Sequence, residues 1–484
     1  CALEPEAVDR PAPHMSGSWR AAKSGHASAV SRTWPTQFGS RELSALSRQA
    51  LDGNFDLDAA AARILQASAQ AGIAAAALYP QIEGAGSGSR TLTPGTLRSS
   101  SPPFQSSVSN NFRLGLSVDY ALDFWGRNAR LVQAGKLSAI ASQFDYDVVA
   151  LTTLVSLSNT YFQILLAQER LRIARSNIRT ATQTLAAIKA RVEVGTNTAL
   201  DVAQQESIVA NLRANIPVLE QQLQQNRNIA AVLLGRTPQS VRIKGGSLHR
   251  LRLPRIRPGL PSQLLLRRPD IAAGEARLKA AGASIVAARA ALYPTISLTG
   301  NTSLASQALR NLLRPEAIGL GIASSAVQSI FSGYNLENQV ELSRANRLEL
   351  LANYRKSIIT ALSEVENALI AIRKTAEQER LRAVAVKLAR RAFEITGQRL
   401  REGTIDVVTL LSTQQTLFSA QDALTVARGQ RLQAAVSLFQ ALGGGFTMDP
   451  KKLLETAPPK NHPFNFGPFS FNAIEPGAAA AAAP

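Results

Sequence analysis

Side chains that could do chemistry are few and scattered along this chain of 484 residues. The four histidines share no metal-ligand spacing, and two methionines are too few for a copper relay. Gly84, Gly86 and Gly88 fall inside a candidate strand rather than before a helix, which argues against a nucleotide-binding loop. We therefore expect no enzyme activity, no bound metal and no non-covalent cofactor. The histidines are His14, His26, His249 and His462.

Cys1 is the only cysteine, so the chain cannot form an internal disulfide. A first residue of Cys without an initiator Met fits a bacterial lipoprotein, whose signal peptide is removed just before a cysteine that then carries lipid. An arbitrary boundary of the sequence would explain the same observation. We expect a covalent lipid on Cys1, whose acyl chains anchor the protein to a membrane.

The charge is strongly positive, and its distribution restricts the possible partners. The net charge is +19, and the segment from Arg236 to Arg268 contains nine Lys or Arg and no Asp or Glu. No aromatic residue is interleaved with these charges and no nucleic-acid-binding motif is present, so we expect no nucleic acid partner. We interpret this basic segment either as a solvated face or as a contact with an anionic envelope polymer such as peptidoglycan. The chain has no run of about 18 apolar residues, which excludes a transmembrane helix.

The sequence contains an internal duplication. Four short motifs recur in the same order at offsets between roughly 207 and 214 residues, which chance does not explain. The chain therefore contains two copies of one structural unit. The pairs are Leu78-Tyr79-Pro80 with Leu292-Tyr293-Pro294, Phe124-Trp125-Gly126 with Phe331-Ser332-Gly333, Gln168-Glu169-Arg170-Leu171-Arg172 with Gln378-Glu379-Arg380-Leu381-Arg382, and Arg191, Gly195 and Thr196 with Arg399, Gly403 and Thr404.

Each copy has two candidate strands after its Tyr-Pro pair. The clearest is Phe112 to Phe124, where apolar and polar residues alternate over 13 residues, long enough to cross a bilayer when tilted. Gln81 to Thr93 is its expected partner, and the second copy alternates in the same way near Ile296 and Ile318. The charged side of the strand must face water, whereas its aromatic and apolar side suits lipid. A soluble antiparallel sheet is the alternative interpretation.

Very long helices are expected after the strands. No strong helix breaker occurs from Gly126 to Gly195 or from Gly333 to Gly403, roughly 69 residues each, which predicts helices of about 100 Å. Apolar residues at seven-residue spacing supply the lateral seam that such helices need. The seam comprises Leu137, Phe144, Leu151 and Leu165 in the first copy and Leu351, Ile358, Val365 and Ile372 in the second, where Tyr354, Ala361 and Ala368 form a second stripe.

Shorter helices should return along the long ones, over 199–234 and 406–442. Gly195 and Gly403 suit the left-handed turns that end the long helices. The candidate N-caps are Thr196 or Thr198 in the first copy and Thr404 or Asp406 in the second. Pro217 lies within the first returning helix and is expected to bend it.

These patterns divide the chain into five segments. Residues 1–50 form a lipidated N-terminal segment, 51–234 the first repeat, 235–262 a basic linker, 263–446 the second repeat, and 447–484 a tail that is equatorial or disordered. Each repeat is a helix, two strands and a long helical hairpin. The expected fold class is mainly α with β.

Four membrane strands are too few to close a barrel, since outer-membrane barrels begin at about eight strands. An open strand edge is not tolerated in lipid, so the chain must oligomerise. A dimer would supply eight strands, a trimer twelve and a tetramer sixteen, and a barrel of about eight leaves no pore. The helices would continue the barrel as a tube, which makes the assembly a conduit.

The segment Leu260-Pro261-Ser262-Gln263-Leu264-Leu265-Leu266-Arg267-Arg268-Pro269-Asp270-Ile271 resembles a signature of the outer membrane factor (TolC-like) family. Leu292 to Gly300 extends the likeness, and the segments from Gly195 to Gln204 and from Thr409 to Gln414 resemble its two helix-tip returns. The resemblance covers residues 40 to 445 and is greatest to the OprM/NodT-type lipoprotein branch of multidrug efflux channels. Cys1 matches the lipidated residue of that branch, and Ala2 agrees with sorting to the outer membrane.

This resemblance implies a homotrimer with a twelve-stranded outer-membrane barrel, a long periplasmic α-helical barrel and a mixed equatorial domain. The protein would be a lipid-anchored exit duct of a tripartite pump, passive and without chemistry of its own. A periplasmic adaptor would bind it, and an inner-membrane transporter of the resistance-nodulation-division or major facilitator type would supply substrate and energy. The exported drugs or other small molecules cannot be identified from the sequence.

The resemblance also assigns roles to the helix tips. It implies that the adaptor contacts Val194, Gly195 and Thr196 in the first copy and Glu402, Gly403 and Thr404 in the second. The gate candidates are Asp201, Arg399, Arg401, Asp406 and Ser412. Ser412 stands where the family often has an acidic residue, so a charged constriction ring is absent or moved to Asp201 or Asp406. Leu400 replaces an aromatic residue of the family.

Two alternative functions remain open at this point. One is the outer-membrane conduit of a protein secretion system, and the other is a structural periplasmic coiled-coil lipoprotein. The second does not explain the alternating strands.

Overall fold

The fold is seen in a computed structural model, which describes residues 19–20, 31–97, 103, 105–254, 256 and 258–446. Cys1 and Ala2, on which the expected lipid anchor depends, and the tail 447–484 lie outside the described residues. The same is true of Arg255 and Arg257 in the basic linker.

The chain folds into seven α-helices and four strands in the described ranges, and apart from the first helix they follow the order that the duplication predicts. The first unit contains α1 and α2, then β1 and β2, then α3 and α4, and the second contains α5, β3, β4, α6 and α7. Their bounds are α1 Arg41–Gly53, α2 Phe55–Ala76, β1 Gln81–Thr93, β2 Ser107–Leu122, α3 Arg127–Glu193, α4 Ala199–Leu233, α5 Pro269–Ala290, β3 Thr295–Ser306, β4 Ile318–Val327, α6 Asn335–Arg401 and α7 Val407–Ala441.

The four strands form one antiparallel sheet in the order β1-β2-β3-β4. Its register aligns the apolar residues of neighbouring strands: Val118 lies opposite Ile82, and Leu114 lies opposite Leu304. Leu320 of β4 is on the same face and is 82% exposed. The opposite face carries Asp119, Ser117 and Arg113 of β2, flanked by Asn301 and Ser303. The sheet therefore has one apolar and one polar face, and no other element in the described part of the chain covers either face.

The paired helices match closely in length. α3 and α6 each contain 67 residues, and α4 and α7 each contain 35. The predicted seam is largely confirmed, because Phe144, Leu165, Ile358 and Val365 are buried and the small residues between the helices are buried with them. Pro217 lies inside α4, and the helix continues past it.

The main core lies at the waist of the molecule, where the N-terminal segment meets the long helices. Trp34 stacks on Phe439 with ring centroids 4.9 Å apart, and Phe38 meets the edge of Phe162 at 5.0 Å. All four rings are at most 1% exposed, so this cluster joins both repeats to the start of the chain.

Two side chains next to this core hold the basic linker in place by hydrogen bonds to its backbone. The carboxylate of Glu42 accepts from the amides of Lys244 and Gly245 at 2.8 and 3.0 Å, and Gln168 donates to the Lys244 carbonyl at 3.1 Å. Ile243 and Leu248 are buried in the waist core, whereas the basic side chains around them are exposed. The linker thus turns its apolar residues inward and its charges outward.

The signature segment has a structural explanation. Arg268 is the residue before α5, where Pro269 occupies the first helical position. Its guanidinium donates to both oxygens of Asp270 at 3.0 and 2.7 Å and to Glu364 at 2.6 Å. It also donates to the carbonyl of Ala441 at 3.3 Å. One buried arginine therefore joins the start of α5 to α6 and to the end of α7.

One expectation about the helices was too strong. Within the described residues, an 18-residue window of α3 has a mean hydropathy of 1.4, so this helix passes a length and composition test for a membrane span. The window combines apolar with small and hydroxyl-bearing residues, which is why a search for an unbroken apolar run misses it. In the folded chain 56% of that window is buried, as in the core helix of a helical bundle.

Candidate gate at the helix tips

Both long helices end in the same turn. Gly195 and Gly403 adopt φ values of 77° and 75°, a left-handed conformation that glycine accepts without a Cβ clash. The amide of Thr196 donates to the Arg191 carbonyl at 2.9 Å, and that of Thr404 donates to the Arg399 carbonyl at 3.0 Å. Each glycine amide also donates to the carbonyl three residues before it, Gly195 to Val192 at 2.9 Å and Gly403 to Leu400 at 3.2 Å. The two bonds together form the Schellman arrangement, which satisfies the last helical carbonyls.

The N-caps of the returning helices are Thr198 and Asp406 rather than Thr196 and Thr404. The Thr198 hydroxyl accepts from the Asp201 amide at 3.3 Å, and Asp201 accepts from the Thr198 amide at 2.9 Å. Asp406 accepts from the Thr409 amide at 2.9 Å. Thr196 instead closes the preceding helix, because its hydroxyl also donates to the Arg191 carbonyl at 2.9 Å, and Thr404 does the same with Arg399 at 3.1 Å.

The two caps use the same pair of side chains in opposite order. The first copy has Thr at the N-cap and Asp three residues later, whereas the second has Asp at the N-cap and Thr three residues later. A carboxylate thus stands at the start of each returning helix, where the helix dipole stabilises negative charge. The difference between Asp201 and Thr409 is therefore an exchange of positions within one capping device.

The pKa values of both carboxyl groups are lowered. For Asp201 the main cause is the hydrogen bond from the Thr198 backbone, followed by bonds from the side chains of Asn197 and Thr198. For Asp406 the cause is the hydrogen bonds from the side chain and backbone of Thr409. Asp406 in turn acts on Asp201 through space and opposes its ionisation. The structure therefore brings the two predicted gate acids to the same end of the molecule, and both remain ionised at neutral pH.

A direct bond links the two tips. The guanidinium of Arg191, in the last turn of α3, donates to the Leu400 carbonyl in the last turn of α6 at 2.9 Å. Beside it, Ile188 is buried against Val407 and Leu411, with Leu400 packed alongside. The tip of the first repeat is thus held to the tip of the second by an apolar cluster and one charge-assisted hydrogen bond.

The other predicted gate residues lie on the surface of the tips. Arg399, Arg401 and Ser412 are exposed, and Glu402 accepts a hydrogen bond from Gln398 at 3.1 Å. None of these side chains pairs with Asp201 or Asp406 among the contacts of the described residues. Val194, at the first tip, is 73% exposed.

Sequence reasoning missed several residues of this region. Arg191 was recognised only as part of a repeated motif, yet it makes the bond between the tips. Gln205 and Gln414 are fully buried, and Gln205 donates to the Ala181 carbonyl at 2.7 Å and to Gln414 at 3.3 Å. A glutamine follows each tip within about three helical turns, but the two are one residue out of register in the duplication, so the repeat alone does not pair them.

The fold and the tips together define a class of protein. A sheet with one lipid-compatible face, continued by matched long helices that end in linked turns, describes an outer-membrane channel with a helical extension. The chain belongs to the outer membrane efflux protein family, whose model matches residues 46–236 and 260–444.

Relatives and solved structures agree with this assignment over nearly the full chain. The chain is 37% identical over 460 residues to the pyoverdine export outer membrane protein OpmQ of Pseudomonas aeruginosa, covering 93% of this chain and 96% of OpmQ. It is 30% identical over 457 residues to the cation efflux system protein CusC of Escherichia coli O6:H1, covering 92% and 96%. A membrane protein from Pseudomonas aeruginosa superposes with a TM-score of 0.84 at 30% identity, covering 92% of this chain and 100% of that chain. The protein is an efflux channel of the outer membrane.

Proposed function

We propose that three copies of the chain close a twelve-stranded barrel in the outer membrane, continued by a periplasmic α-helical barrel. The observation that carries this proposal is the sheet, in which β1 and β4 each have one neighbouring strand among the described residues. An unpaired edge in lipid would leave backbone groups without hydrogen bonds, so β1 must pair with β4 of another copy. Two copies would give a filled barrel, whereas three enclose a lumen.

The test combines mass and conductance. The full-length protein purified in detergent is expected to have the mass of a trimer by light scattering. In planar bilayers it should produce single-channel steps. A stable monomer, or a trimer that never conducts, would contradict the proposal.

The assembled channel is a passive exit duct of a tripartite pump. A periplasmic adaptor binds the tips at Val194 to Thr196 and at Glu402 to Thr404, and an inner-membrane transporter of the resistance-nodulation-division or major facilitator type supplies energy. What supports this assignment is the exposure of both turns beside a tip-to-tip bond that adaptor binding could break. Changing Val194 and Glu402 together to Ala and Gln should weaken capture of the adaptor without loss of trimer.

The exported substrate is a small organic molecule rather than a metal cation. The relative with the greater identity is named for pyoverdine export, and the cation efflux relative is more distant. Among the described residues no group of three or more His, Cys, Asp or Glu is placed to hold a metal ion. Deletion of the gene should reduce drug tolerance or the release of a pyoverdine-like compound and leave tolerance of metal cations unchanged. Loss of a secreted protein in the same strain would favour the secretion conduit instead.

Cys1 carries the lipid that anchors the trimer. A similar protein, SilC of Salmonella typhimurium, is named as a probable outer membrane lipoprotein and is 30% identical over 420 residues. Labelled palmitate should be incorporated by the wild-type chain and not by Cys1→Ser. Labelling of both would place the lipid elsewhere.

The outward face of the basic linker binds peptidoglycan. What supports this is the exposure of Arg242, Lys244, Arg250 and Arg252 around a linker that is fixed to the waist. Reversal of charge at Arg250 and Arg252 should reduce sedimentation of the trimer with purified cell wall. Unchanged sedimentation would show that this face is only solvated.

A further inference from the structure

The two ends of the sheet present different residues. At the end next to the helices, aromatic side chains cluster: Trp125 stacks on Tyr293 with ring centroids 4.8 Å apart, and Tyr79 is 59% exposed. Aromatic residues mark the level of the lipid headgroups on a membrane barrel. At the other end, no aromatic residue lies in the described parts of the two turns that join β1 to β2 and β3 to β4. Exposed arginines and leucines stand there instead.

Arg90 stands on the apolar face of β1, near that far end. Side chains alternate along a strand, so Arg90 shares a face with Ile82 and Leu92 and lies opposite Asn110 of β2. It is eleven residues along the chain from Tyr79. At about 3.3 Å per residue and a tilt of about 45°, this separation is about 25 Å along the membrane normal, which is the height of the apolar band of an outer-membrane barrel. Arg90 therefore lies at the far headgroup level rather than in the hydrocarbon.

Arg90 carries an unpaired charge on this face. Its exposed guanidinium forms no hydrogen bond or ion pair with the described residues. The two acids of the strands, Glu83 and Asp119, lie on the polar face and nearer the other end. A charge directed at lipid is costly at the bilayer centre but is tolerated at the interface, where water and lipid phosphates solvate it. The partner of Arg90 therefore lies outside the chain, in the headgroup layer.

The turn between β3 and β4 adds two cations at the same end of the sheet. Arg310 and Arg314 are exposed and form no ion pair with the described residues. Glu316, the acid of this turn, is also exposed and bonds to neither of them. Between the arginines, Leu309 and Leu313 are 64% and 79% exposed. The turn thus presents positive charge and apolar surface together.

We infer that Arg90, Arg310 and Arg314 form an arginine rim that binds the phosphate groups of a lipid in the outer leaflet. This inference rests on the membrane barrel proposed above. A guanidinium donates two parallel hydrogen bonds to a phosphate, and each arginine near an anionic membrane surface adds to the attraction. The exposed leucines favour a lipid over a soluble anion, because apolar side chains beside the cations enter the boundary of the acyl chains.

One headgroup can be held from both sides of a boundary between copies. Arg90 stands near the end of β1, and the turn that carries Arg310 and Arg314 precedes β4, the strand that pairs with β1 of the next copy in the proposed barrel. A ligand that binds only the assembled barrel stabilises it by mass action. The lipid should therefore raise the temperature at which the trimer dissociates.

Lipid binding to the full-length trimer in detergent tests the arginine rim. Lipid A with both phosphate groups, a glycolipid of the outer leaflet, is expected to remain bound in native mass spectrometry. Its dephosphorylated form should bind about tenfold more weakly, and Arg90→Gln should weaken binding of the phosphorylated form about tenfold, since a hydrogen bond to a charged group is lost in each case. Arg113→Gln, on the polar face of the same sheet, is the matched control and should bind as the wild type does.

Each other outcome has a distinct meaning. Equal affinities of Arg90→Gln and the wild type, or of the two lipids, would overturn the arginine rim. Full competition by inorganic phosphate at the concentration of the lipid would show that the arginines bind a soluble anion instead. A wild type that is not a trimer by light scattering would contradict the proposed assembly, which is a separate failure.

Thermal dissociation of the trimer tests the turn between β3 and β4. Lipid A should raise the dissociation temperature of the wild type on semi-native gels, and it should raise that temperature less in the double variant Arg310→Gln with Arg314→Gln. If lipid A stabilised the double variant as much as the wild type, the turn would have no part in binding and the shared headgroup would be refuted.

Discussion

Arg268 shows what a single residue contributes to this fold. Its side chain is 10% exposed and bonded to Asp270, Glu364 and the Ala441 carbonyl. Burial lowers the pKa of the guanidinium, but the hydrogen bonds and charges of Asp270 and Glu364 outweigh it and raise that pKa above its ordinary value. Arg268→Ala removes all of these bonds and leaves the partly exposed carboxylates of Asp270 and Glu364 without their guanidinium partner. We expect a loss of about 1.5–3 kcal/mol, the usual contribution of hydrogen bonds to a charged group. Thermal melting of the helical signal measures this, with Arg267→Ala as the neighbouring control; similar melting of both variants would refute the role.

The two tip acids predict a pH response. Their pKa values are lower in the folded chain, so their stabilisation is full above the ordinary carboxyl range and disappears as pH falls through the lower folded values. Protection of the first turns of α4 and α7 from hydrogen exchange should stay constant from about pH 7 to about pH 5 and decline below about pH 4. Asp201→Asn keeps a side-chain oxygen that can accept the hydrogen bond from the Thr198 amide, but it removes the charge. It should abolish the decline in α4 alone, and an unchanged decline there would exclude Asp201 as its cause.

At the scale of secondary-structure elements, features set by neighbouring residues could be predicted from the sequence, whereas contacts between distant residues could not. The helices end at Gly195 and Gly403 because only a left-handed residue fits that turn. The alternation of apolar and polar residues predicted β2, although the strand runs from Ser107 to Leu122 rather than from Phe112 to Phe124, and β1 was expected as its partner. The choice of N-cap, Thr198 over Thr196, was left open because both hydroxyls suit a cap. The bonds of Glu42 and Gln168 to the linker could not be predicted, since they join residues distant in sequence through backbone groups that any side chain provides.

The sheet predicts different outcomes for neighbouring substitutions. Leu116 and Ser117 lie in the middle of β2 on opposite faces. Leu116→Lys places a charge on the apolar face and should cost about 2–4 kcal/mol near the bilayer centre, which lowers the yield of assembled trimer in the outer membrane. Ser117→Lys projects into the polar face and should assemble normally. Semi-native gels of outer-membrane fractions compare the two, and equal yields would contradict a lipid-facing surface at Leu116.

At the scale of the whole molecule, the equal lengths of the helices are a requirement of the bond between the tips. α3 and α6 must bring Arg191 and Leu400 to the same height, because the bond between them is 2.9 Å long. Removing one heptad from the hairpin of the first repeat alone, residues 178–184 and 205–211, keeps the seam facing inward but shifts that tip by about 10 Å. The bond cannot then form, and cells should become sensitive to a large antibiotic that the closed channel excludes.

The matched control shortens both repeats, with residues 386–392 and 413–419 removed as well. All tips then retreat together, so the ring should close again and the antibiotic should again be excluded, although the shorter tube no longer reaches its adaptor and efflux is lost. The unmatched deletion is therefore expected to leak the antibiotic, whereas the matched deletion is expected to exclude it and yet to have lost efflux. If the matched deletion leaked as much as the unmatched one, closure would depend on the removed residues themselves, including the buried pair Gln205 and Gln414, rather than on the alignment of the four helices.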